Sequence, residues 1–112
     1  MEIRILRNEN DVYILELHGS MDLYSSEQVK DRAMKLVEKK IEGLIIDLKH
    51  VNSIRSAGIG ALINISSTFK KLNHKLVLTN INDSIKKTME VTHFMEYLPA
   101  AANLNEALRR IG

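Results

Sequence analysis

Residues 44–48 read LIIDL, and this short run limits the fold more than any other feature. Its apolar side chains do not alternate with polar ones, so a strand formed here needs cover on both faces. That is the signature of a central strand in a parallel or mixed sheet. KLVLTN (75–80) reads the same way. EIRILR (2–7) differs, with Ile3 and Ile5 on one face and Glu2 and Arg4 on the other. The turn cluster NEND follows, and then the β-rich VYILELHG, ending at Gly19. The two runs predict a hairpin.

Between the strands the period changes. In SMDLYSSEQVKDRAMKLVEKK (20–40), Val29, Ala33, Leu36 and Val37 fall at helical spacing, with Ser25 or Ser26 as the N-cap. AGIGALINISSTFKKL (57–72) carries one stripe of Ile59, Leu62, Ile63, Ser66, Phe69 and Leu72. DSIKKTMEV (83–91) predicts a short helix with Asp83 at its cap, and FMEYLP (94–99) reads as extended or as a final turn. NLNEALRRIG closes the chain with a helix capped by Asn103 or Asn105, turning Leu104, Ala107, Leu108 and Ile111 inward. The order is ββαβαβα, an ambiguous segment, then α. Strands alternating with helices require a sheet with helices packed on it. With 112 residues, one proline (Pro99) and no Gly/Ser-rich linker, one domain over 1–112 is expected.

Charge and chemistry narrow the function. Sixteen Lys and Arg stand against fourteen Asp and Glu, a net charge of +2, and no basic block alternates with aromatics, so nucleic acid is not the expected partner. The absence of cysteine removes disulfides and thiolate chemistry and fits a reducing compartment. The opening MEIRILRNEN lacks the apolar core of a signal peptide, and no run approaches the roughly 18 apolar residues of a membrane span. A cytoplasmic protein that does not engage a membrane is expected. His18, His50, His74 and His93 are scattered without metal-ligand spacing. SIRSAG is not a nucleophile elbow, because Ile54 stands where the first glycine belongs. Asp47 ends a central strand, as the phosphoacceptor of a receiver domain does, but the first two strands supply no acidic pair to hold a metal there. It reads as a structural residue bonding loop backbone. No metal site, catalytic residue or cofactor is expected.

The segment DLKHVNSIRSAGIG (47–60) carries the functional signal. The strand delivers the chain to a loop at 49–55, and Ser56 falls at or just before the first turn of a helix. There its hydroxyl is placed to accept from an unpaired amide. Gly58 and Gly60 leave that turn unshielded, although each costs a helix interior up to about 1 kcal/mol relative to alanine. Two glycines so close imply a close approach, either by a partner or by the sheet beneath. A helix N-terminus favours anions, so a phosphate on Ser56 would add about −1.5 to −2 charges without melting the helix. The macrodipole contributes on the order of 0.3–1 kcal/mol to holding it.

These residues resemble the STAS domain, and more narrowly the bacterial anti-sigma factor antagonists. The likeness runs through GSMDLYSS, DLKHVNSIRSAGIGALI, LVLTN and EALRRI, nearly the whole chain. It implies an α/β fold: a mixed sheet of four or five strands with helices packed mainly on one side. It also implies that Ser56 is phosphorylated by a partner that is both anti-sigma factor and ATP-dependent serine kinase. Asp22, Arg55, Ser56, Ala57 and Gly58 would meet that partner. The unphosphorylated form binds the kinase and frees the sigma factor; the phosphorylated form lets go. ATP belongs to the kinase. Arg55 departs from the family, which usually has Asp there, and reverses the charge beside the acceptor. Two other readings stand: a STAS scaffold or sensor that is not phosphorylated, and a small phosphate- or nucleotide-binding domain.

Overall fold

The first hairpin forms where the alternation places it. β1 (Glu2–Arg7) pairs antiparallel with β2 (Val12–Met21). In the turn, Asn8 Oδ1 accepts from the N–H groups of Asn10 and Val12, each at 2.9 Å. The computed structural model describes residues 1–112, the side chain of Phe94 excepted. After the hairpin come α1 (Leu23–Val37), β3 (Gly43–Ile54), α2 (Ser56–Lys71), β4 (Lys75–Thr79) and α3 (Asp83–Val91). A 3-10 turn (Phe94–Tyr97), the two-residue β5 (Ala100–Ala101) and α4 (Leu104–Ile111) complete the chain. The segment 94–99 is therefore mostly that turn, and the fifth strand of the sheet follows it at Ala100–Ala101.

The sheet is mixed and five-stranded, in the order β1-β2-β3-β4-β5, with every pair parallel except the first. Parallel strands joined by right-handed crossovers and stepping in one direction put every connecting helix on the same face. The buried side chains agree. Leu15, Leu17, Leu44, Ile46 and Leu48 face the α1–α3 layer, with Val29, Leu62, Ile65, Phe69 and Ile85 packed on them. α4 covers part of the other face, where Ile111 and Ala107 meet Val12, Ile14, Ile45 and Val77. LIIDL is therefore covered on both sides, and three of the four α-helices share one side.

Several boundaries differ from the sequence reading. β2 runs past Gly19 to Met21, and β3 runs through most of the expected loop to Ile54. The reason is mutual pairing: beyond Asp47, β3 continues beside β2 alone, with two register irregularities, and backbone bonding holds polar residues such as His50 and Ser53 extended. α1 is capped by Asp22, not by Ser25 or Ser26, and α3 by Asn82, not Asp83. In each case the side chain one place outside the helix accepts from an N–H three residues on. Asn103 caps α4. On α2 the buried stripe includes Ala61 and Ile65, whereas Leu72 is half exposed.

Candidate functional site

The long tips of β2 and β3 carry the residues singled out in the sequence. Met21 ends β2 and Arg55 follows β3, and the Arg55 N–H donates to the Met21 carbonyl at 2.9 Å. One main-chain bond thus sets the distance between the start of α1 and the start of α2. Asp22 begins α1. Its Oδ1 accepts from the Ser25 N–H at 2.8 Å, while Ser25 Oγ accepts from the Asp22 N–H at 2.9 Å, a reciprocal capping box. Ser25 Oγ also lies 2.7 Å from the Ser20 carbonyl, to which it donates. The bond from the Ser25 amide, helped by the Ser25 hydroxyl, holds the Asp22 carboxyl below the usual carboxylate range. Asp22 stays exposed while it caps.

Ser56 is the first residue inside α2, and Arg55 is the N-cap. A guanidinium has no acceptor, and no side chain caps this helix. Ser56 is exposed and its hydroxyl makes no hydrogen bond among the described residues, so it is not the cap that serine at this junction suggested. No acidic residue sits in the first turn. The positive end of α2 therefore opens to solvent with an unengaged hydroxyl beside it. A groove of about 350 Å³ runs past Ser56, lined by Ile54 and Ile59, by Thr88 of α3 and by Thr92, which follows that helix.

The two glycines separate in role. A Cβ on Gly58 would lie 2.7 Å from Ile54 Cγ1 and 2.8 Å from Met21 Cβ, so this glycine lets α2 sit down on both strand tips. A Cβ on Gly60 would meet nothing within 4 Å. Only Gly60 lies on the open side. Asp47 is buried as a structural residue: its Oδ1 accepts from the Lys49 N–H at 3.0 Å and from Asn80 Nδ2 at 3.2 Å. Asn82, the cap of α3, also donates from Nδ2 to the Val51 carbonyl at 2.9 Å and so steadies the β3 extension.

A family model described as the STAS domain matches residues 4–107. The chain belongs to the STAS family. Among curated proteins, an anti-sigma-B factor antagonist of Bacillus subtilis is 24% identical over 91% of this chain and 92% of its own. Among solved structures, a candidate anti-sigma factor antagonist of Thermotoga maritima superposes with a TM-score of 0.87 at 17% identity, covering 97% of this chain and 93% of that one. The Bacillus cell fate determinant SpoIIAA in its phosphorylated form gives a TM-score of 0.73 at 14% identity, over 99% of this chain and all of that one.

Within this STAS domain, Asp22 and the run Arg55–Gly58 come together at one end of the sheet, although Gly58 itself is buried. The sequence reading missed Leu23 and Tyr24, which are 73% and 76% exposed directly beside Asp22. Together with Glu27, Gln28 and Asp31 they line a hollow of about 680 Å³ on α1. The signal was present: both residues are out of phase with the Val29–Ala33–Leu36 stripe, so a helix starting there turns them to solvent.

Proposed function

We propose that this STAS domain is an anti-sigma factor antagonist whose binding to an anti-sigma serine kinase is switched off by phosphorylation of Ser56. The carrying observation is the exposed Ser56 hydroxyl on the uncapped, acid-free first turn of α2. A kinase can reach that oxygen. The phosphate formed there would be held by free amides and by Arg55 next to it. Docking would use the surface shared by the two helix starts: Asp22, Leu23 and Tyr24 on one side, Arg55, Ser56, Ala57 and the open flank of Gly60 on the other. A dianion in the middle of that surface changes its charge without disturbing the core. The likeness to curated antagonists supports the pathway, in which the bound kinase gives up its sigma factor. The protein acts by binding in the cytoplasm, and the ATP belongs to its partner. No described helix is long and apolar enough to cross a membrane.

The test is incubation with ATP and the anti-sigma kinase of the same organism, read by intact mass. One phosphate, absent in Ser56→Ala, with loss of kinase binding on phosphorylation, is the expected result. Binding with no phosphate added favours the second reading, an unphosphorylated STAS scaffold, which the charge reversal at Arg55 would then explain.

A further inference from the structure

At the far end of α2 from Ser56, a cleft of about 480 Å³ opens between the last turn of α2, the start of β4, the 3-10 turn and the end of α4. Sixteen residues of helix separate the two ends, about 24 Å. The cleft is lined by Lys70, His74, Lys75 and Arg110, and Glu96 is the only acidic side chain among the described lining residues. Two of the cations are already held in place. Lys75 Nζ donates to the Ile111 carbonyl at 2.8 Å. Arg110 donates from Nη1 to the Ala100 carbonyl at 2.6 Å and from Nη2 to Glu106 at 2.8 Å. An ammonium carries three donors and a guanidinium five, so both keep N–H groups for a ligand. The side chains of Lys70 and His74 make no hydrogen bond among the described residues, and the His74 ring rests edge-on to Phe69 with centroids 6.0 Å apart.

Each charge has a local reason. Lys70 and Arg110 sit in last turns, where cations complement the helix dipole. That accounts for their sign but not for their meeting around one hollow of ligand size. We propose that this cleft binds a small phosphate-bearing molecule, with the phosphate oxygens on Lys70, Lys75 and Arg110. Lysine serves as a point charge, and the pre-fixed arginine as a donor fork. The site shares no residue with the Ser56 surface and does not depend on the switch proposed there.

The experiment titrates the labelled full chain with inorganic pyrophosphate and tripolyphosphate, following amide shifts and heat. Saturable shifts at Lys70, His74–Leu76 and Arg110 are expected, and Ser56→Ala should bind like the parent. Lys70→Glu should weaken binding at least tenfold. It disturbs no internal hydrogen bond, so its fold should survive; Lys75→Ala, which frees the Ile111 carbonyl, is the second variant. The proposal is overturned by an absence of shifts, by shifts centred on Ser56, by unchanged affinity in Lys70→Glu, or by hexaglutamate binding the cleft more tightly than tripolyphosphate.

Discussion

Gly58 and Gly60 stand two positions apart and should respond in opposite ways to the same change. Gly58→Ala forces a methyl group against Ile54 and Met21; overpacking of this kind costs about 1–3 kcal/mol, only partly offset by better helix propensity. Gly60→Ala adds a methyl in open space and should stabilise the protein by about 0.5–1 kcal/mol. Urea unfolding of the pair checks both signs, and any loss of kinase binding in Gly60→Ala would mark the open flank as a contact. Asp22 makes a pH prediction. Its carboxyl titrates lower in the folded protein than in the unfolded chain. The charged cap therefore stabilises fully above the unfolded value, about pH 4. That contribution fades as pH falls through the lower folded value. Asp22→Asn keeps an acceptor but cannot titrate, so its melting temperature should fall less steeply between pH 4 and pH 2 than the parent's. An equal slope in the two proteins would remove Asp22 from the acid response.

The start of α2 makes a prediction about the whole helix. Negative charge at an uncapped N-terminus adds about 0.3–1 kcal/mol. Ser56→Glu should therefore leave the helical signal in circular dichroism unchanged and raise stability slightly, while abolishing kinase binding. Loss of helix would mean that the proposed switch, if present, works by unfolding. On α1, Leu23→Ser with Tyr24→Ser removes exposed apolar surface. Stability should move by about 0.5 kcal/mol or less, while kinase affinity drops at least tenfold. The elements themselves were legible in the sequence because hydrophobic period is a property of neighbours: LIIDL, KLVLT and the Val29–Ala33–Leu36 stripe need no tertiary knowledge. Caps were not, because Asp22, Ser25 and Ser26 all carry acceptors within one turn. The choice among them depends on where β2 stops pairing. The outer half of β3 was read as loop for the same reason, its polar residues being extended only through β2. The Ser56 junction was legible from its small residues, but the residue at the cap position was not: the helix starts at Ser56 and leaves Arg55, whose side chain has no acceptor, as the N-cap.

Across the molecule, the centre of β3 is enclosed by β2 and β4 in the sheet, with packed side chains above and below. Amides of Leu44–Leu48 should be the last to exchange with deuterium. β5, paired over two residues with the end of β4, should be among the first; a reversed order would contradict the sheet described. β5 is also too short to announce itself in sequence. Its place is prepared by the Leu78 N–H, which donates to the Pro99 carbonyl at 2.7 Å just before the strand. The outer rim of β1 carries Glu2, Arg4 and Arg7, charges that discourage a further strand from adding there. The link from the Arg55 amide to the Met21 carbonyl has another consequence. Peptide groups are common to every amino acid, so this clasp is blind to the letters written on either loop. Those letters can change while the gap they bridge keeps its width.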